Sequence, residues 1–111
     1  MQKKVVEGGV VWGDLFFMSG CCNIADTVEE EIRVSMDELG DILKRHGLDF
    51  EHVLRATVYL RDIHDRERCL NRIWNEYFPE NPPARTCIET GIGKTRFEVD
   101  FIVGIPDGRE F

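Results

Sequence analysis

Residues 95–104, Thr-Arg-Phe-Glu-Val-Asp-Phe-Ile-Val-Gly, place Phe97, Val99, Phe101 and Val103 on one face of an extended chain. A strand with one uniformly apolar face must lie in a sheet and bury that face against a second layer. Two helical patterns supply the layer. The first opens at Thr27, an N-cap residue with Glu30 three positions on, carries Ile32, Met36, Leu39 and Leu43 at helical spacing, and ends at Gly47. The second runs from about 65 to 78, with Leu70, Ile73, Trp74 and Tyr77 as its stripe and Cys69 beside it. Asn81-Pro82-Pro83 stops it.

Further strands fall between these helices. Runs at 3–7 and 9–12, divided near Gly8-Gly9, lead through a Gly13-Asp14 turn into Leu15–Ser19, so two antiparallel strands are expected to open the fold. Residues 53–60 read as a strand with Leu54, Ala56, Val58 and Leu60 on one side and Arg55, Thr57 and Tyr59 on the other. A strand at 84–90 then reaches Gly91–Lys94, read as a hairpin loop into 95–104. The order β-β-α-β-α-β-β predicts an α+β fold with both helices on one side of the sheet. At 111 residues the chain is expected to form a single domain over 1–111.

The hairpin would pair Thr90 with Thr95, Glu89 with Arg96, Cys87 with Glu98 and Arg85 with Asp100. That register matches opposite charges at Glu89 and Arg96 and puts Ile88 on the face of Phe97. Its other face would carry Arg85, Cys87, Glu89, Arg96, Glu98 and Asp100. Such a face has three readings: a solvated sheet surface, a subunit interface with ion pairs, or a site where Arg85 grips a carboxylate and Glu98 handles a proton. Trp12 and Tyr59, hard to bury in so small a core, favour association between copies.

Charge narrows the partners. Lys and Arg number 14 against 21 Asp and Glu, a formal charge of −7, which disfavours nucleic acids and anionic membranes. No apolar run approaches the ~20 residues of a membrane span, and the first residues lack the apolar core of a signal peptide. Cys21, Cys22, Cys69 and Cys87 show no CxxC and no spacing with His46, His52 and His64 that suits zinc. A reduced, cytoplasmic protein with free thiols and no metal is expected, with Cys21 and Cys22 both buried. His46 reads as a helix-end residue complementing the dipole. Gly91-Ile92-Gly93-Lys94 lacks the following helix of a phosphate loop.

Several segments together resemble the Rid (reactive intermediate deaminase, YjgF-like) family, which has also carried the label endoribonuclease L-PSP. They are Trp12–Gly20, Ala56-Thr57-Val58-Tyr59-Leu60-Arg61-Asp62, Asn71 to Phe78, and above all Pro83-Ala84-Arg85-Thr86-Cys87-Ile88-Glu89. The resemblance extends from about residue 6 to 105. It implies a chorismate-mutase-like fold and a homotrimer, with the sheets forming a central β-barrel, the helices outside and pockets in the clefts between subunits. It implies that Arg85 grips a substrate carboxylate, Cys87 lines the pocket and Glu98 positions the hydrolytic water. Asn71 and Gly20 match further pocket positions.

The activity implied is cofactor-free hydrolysis of small 2-imino or enamine acids such as 2-aminoacrylate. The alternatives are a silent trimer that senses small carboxylates and, last, a ribonuclease or translation inhibitor. The family's Pro-Tyr-Ser-Gln type segment is missing, and Val6 stands near its tyrosine. Cys21 replaces a usual glutamine, the loop before Thr27 is cut short, and the Gly91–Lys94 turn is trimmed.

Overall fold

Six strands form one mixed sheet in the spatial order β1-β2-β3-β6-β4-β5. The strands are β1 (Lys4–Val6), β2 (Gly9–Trp12), β3 (Leu15–Met18), β4 (Val53–Leu60), β5 (Ala84–Glu89) and β6 (Phe97–Gly104). The helices are α1 (Val28–Arg45) and α2 (Asn71–Tyr77), the latter entered through a π-helical turn at Arg66–Leu70. The computed structural model describes residues 2–107, 109 and 111. The α+β architecture expected from the sequence is present.

Local chemistry accounts for the elements. Thr27 accepts a hydrogen bond from the Glu30 backbone N–H, and Glu29, Glu30 and Glu31 complement the positive end of α1. Gly47 takes φ +73 just beyond α1, a conformation costly for any residue with a Cβ. Ile32, Met36, Leu39 and Leu43 are buried against the sheet face made by Phe97, Val99, Phe101 and Val103. The opening segment forms three strands rather than two, because Gly8 (φ +85) already reverses the chain between β1 and β2.

The expected hairpin between 84–90 and 95–104 does not form. β5 pairs with β4 in parallel, and β6 lies antiparallel between β3 and β4. The reason is that β4 is a central strand, with Ala56, Val58 and Leu60 fully buried. Chain returning through α2 fills one of its edges with β5 and leaves the other for β6. Leu60 is the register partner of both Glu89 and Phe97, so residues 90–96 pass over the end of β4. That span is about 10 Å, two strand spacings.

Side chains move with this change. Cys87 pairs with Val58 and Arg85 with Ala56, which turns Arg85, Cys87 and Glu89 toward the helix side of the sheet edge. Glu98 pairs with Tyr59 and Asp100 with Thr57, on the open face. Ile88 stands on that open face too, 42% exposed, and not beside Phe97. Glu89 accepts from the Ile63 N–H, and Arg96 pairs with Glu31. A bulge between Val53 and Arg55 puts Val53 in the core and leaves Leu54, expected inside, 52% exposed. Cys22 is exposed rather than buried, and all four thiols are free. No helix among the described residues is long and apolar enough to cross a membrane.

Candidate functional site

Two clusters carry the residues singled out from the sequence. The first surrounds Arg85 at the β5 edge. The π-helical turn feeds directly into Asn71, and α2 then sets Asn71, Trp74 and Asn75 on neighbouring positions of one helix side. Asn71 Oδ1 accepts from Arg85 Nη2 at 2.7 Å, and Arg85 Cζ lies over the Trp74 ring, 5.3 Å from its centre. With Asn75, Pro82 and Pro83 these residues line an open cleft of about 460 Å³.

A guanidinium offers two bidentate edges, and Nη2 belongs to both. Asn71 engages one Nη2 hydrogen, so one edge of the fork remains for an anion in the cleft. Cys87 lies next along the strand. Burial pushes its thiol above the ordinary range, and the nearby positive charges of Arg85 and Arg66 do not offset this. It is a protonated thiol, not an activated nucleophile, and it stands outside the residues that line the cleft.

The second cluster is on the open face. Glu98 stands beside Gly20, where a Cβ would lie 2.6 Å from Glu98 Oε2. Next to it Tyr59 donates to Asp100 Oδ2 at 3.2 Å. Burial and then the Asp100 charge raise the Tyr59 hydroxyl, which stays protonated and a donor.

The segment bearing Gly20 is fastened at several points. Cys21 exchanges backbone hydrogen bonds with Val99, and its thiol donates to Glu38 Oε2 at 2.7 Å. Burial first, then Glu38, pushes that thiol up to about 12. Glu31, 1% exposed, accepts from Arg96 N, Nε and Nη2 and from Ala25 N. Burial would raise its carboxyl, but the Arg96 hydrogen bonds outweigh this and hold it below the usual range.

The structure thus unites Arg85, Asn71 and Cys87 and separately unites Gly20 with Glu98. It does not bring the two sets together within one chain. Sequence reading missed Trp74, taken there as core stripe, and the Pro82-Pro83 wall. The signal for Trp74 was its i+3 spacing from Asn71. Val6 is a half-buried β1 residue paired with Gly9. His46 closes α1, its Nε2 2.8 Å from the Glu7 carbonyl. Among the described residues no group of three His, Cys, Asp or Glu could hold a metal ion.

Fold and site define a small α+β protein with an arginine beside a cleft at a sheet edge and a carboxylate on the sheet's open face. The chain matches the family model described as Endoribonuclease L-PSP over residues 4–105, and it belongs to that family, the Rid or YjgF family. It is 38% identical over 66 residues to the human 2-iminobutanoate/2-iminopropanoate deaminase, covering 60% of this chain and 47% of that protein. It is 31% identical over 81 residues to the Arabidopsis thaliana chloroplastic Reactive Intermediate Deaminase A, covering 66% of this chain and 43% of that one. These matches span about half the length of the curated relatives or less. The crystal structure of a YjgF-family protein from Neisseria meningitidis superposes with a TM-score of 0.83 at 28% identity, covering 91% of this chain and 87% of that one.

Proposed function

We propose that this protein hydrolyses small 2-imino or enamine acids of the 2-aminoacrylate type to 2-keto acids and ammonia, without a cofactor. The observation that carries the reading is Arg85, whose Nη2 donates to Asn71 Oδ1 and which lines an open cleft. A 2-imino acid is already electrophilic at its imine carbon. The protein then needs a carboxylate anchor, a placed water and a sheltered cleft.

In the proposed reaction Arg85 binds the substrate carboxylate in plane. Glu98 takes a proton from water as the water oxygen bonds to the imine carbon. The intermediate receives that proton on nitrogen, giving a carbinolamine. Glu98 then takes the proton of its hydroxyl and passes it to the departing nitrogen, so that the C–N bond breaks, the carbonyl forms and ammonia leaves. Gly20 gives clearance beside Glu98.

Arg85 and Glu98 face opposite sides of one sheet, so the reaction uses Arg85 of one copy and Glu98 of another. A homotrimer, its open sheet faces turned inward as a barrel, provides such clefts. Exposed Phe17, Trp12 and Ile88 on the open face support that assembly.

The test is ammonia release from 2-aminoacrylate generated by a dehydratase. Arg85→Ala is expected to abolish it, and full activity in that variant would remove Arg85 from the mechanism. The separation of Glu98 from the anchor also favours a second reading, a silent trimer sensing 2-keto acids through Arg85. That protein would show a thermal shift with pyruvate and no turnover.

A further inference from the structure

We propose that Trp74 is a positioning residue for Arg85, holding the guanidinium so that its free edge meets the substrate carboxylate. This rests on the reading of Arg85 as the anchor.

Arginine on an edge strand has four side-chain torsions and would sample many orientations in an open cleft. Asn71 restrains one nitrogen of the head group, and that single contact leaves the plane free to swing about it. The Trp74 ring supplies the missing restraint, because Arg85 Cζ lies over it at 5.3 Å. A cation is attracted to the face of an aromatic ring, and tryptophan is the strongest partner.

The ring itself cannot drift. Trp74 is buried, and its centroid lies 4.9 Å from that of Phe78. Phe78 in turn contacts Phe50 and Phe101, so the indole is tied through an aromatic chain to the central sheet. A rigid core thereby reaches out to one face of the anchor. An aliphatic residue of similar size would fill the same space without orienting the charge. Trp74 acts through Arg85 and need not touch the substrate.

The test compares the full-length protein with Trp74→Tyr, Trp74→Phe and Trp74→Met. Loss of the ring in W74M is expected to raise KM for 2-aminoacrylate about threefold to tenfold, with kcat changed much less. KM is expected to rise in the order Trp, Tyr, Phe, Met. If W74M does not fold, W74Y and W74F alone decide, since both keep a ring in the core. Equal KM values across the folded variants, or a fall in kcat alone, overturn the proposal.

The second arm uses fluorescence. The chain has two tryptophans, so in Trp12→Phe the emission reports Trp74 alone. Pyruvate is expected to change it saturably, and the change is expected to vanish when Arg85→Ala is added. Pyruvate bound by equilibrium dialysis with no change in emission contradicts the proposal. If the unmodified protein neither turns over 2-aminoacrylate nor binds pyruvate, the anchor reading fails and this proposal with it. If it does both and W74M matches it, only the role of Trp74 fails.

Discussion

Arg85 and Glu98 lie on opposite faces of one sheet, on strands separated by β4. A chain arranged in this way carries two residue clusters that point apart. The arginine end is shaped by α2, and the glutamate end by the segment after β3. Each cluster is well held on its own, by Asn71 and Trp74 in one case and by the Glu31–Arg96 and Cys21–Val99 contacts in the other. Chemistry that needs both then depends on how copies of the chain meet.

The open face is where they are proposed to meet. Phe17 pairs with Ile102 and Ile88 with Tyr59 on that face. Phe17→Asp and Ile88→Asp place a charge in a shared apolar surface, with little effect on the core beneath. Gel filtration is expected to move from trimer to monomer for both variants, with ammonia release lost and the circular dichroism spectrum retained. An unchanged trimer would show that the copies associate through another surface.

Gly20→Ala tests the placement of Glu98. The added Cβ would lie 2.6 Å from Glu98 Oε2, and the carboxylate end, being flexible, is what gives way. The melting temperature is expected to change little, while kcat falls about tenfold or more, because small misplacements of a reacting group are costly. A variant with full kcat would mean that Glu98 does not hold the water in this position.

The Glu31–Arg96 pair gives a pH signature. Its folded-state carboxyl is held below the ordinary value of 4.5. The stabilisation is therefore complete above that value and is lost as pH falls through the lower folded-state range. Glu31→Gln keeps the shape and is expected to cost about 2 kcal/mol in urea unfolding at pH 7. The cost should shrink as the pH is lowered beneath the ordinary value of 4.5 into the range where the native carboxyl also protonates. A cost independent of pH would mean that the charge contributes nothing.

Much of this fold was legible in the sequence where a residue pattern had only one physical solution. Phe97, Val99, Phe101 and Val103 could face only the core, and Thr27 and Gly47 could only bound a helix. β5 had no such pattern. Arg85, Cys87 and Glu89 alternate with Thr86 and Ile88, and neither set is apolar enough to fix which face is buried. Its partner was set by the crossover through α2, a contact distant in sequence. The hairpin expectation therefore put Arg85 and Glu98 on one face, whereas the strand order puts them on opposite faces. Leu54 was misplaced by a bulge, which shifts side-chain alternation without a local signal. Trp74 was hidden because a ring at the border of a core has the same spacing as one inside it.

The central claim, a site that takes Arg85 from one copy and Glu98 from another, has a direct measurement. Arg85→Ala and Glu98→Gln chains are each expected to be inactive in ammonia release. Unfolded together in equal amounts and refolded, they should form mixed trimers in which about one interface in four joins an intact Arg85 to an intact Glu98. Activity returning to roughly a quarter of the unmodified protein's is the predicted result. Mixed trimers, verified by mass spectrometry, that remain inactive would contradict it.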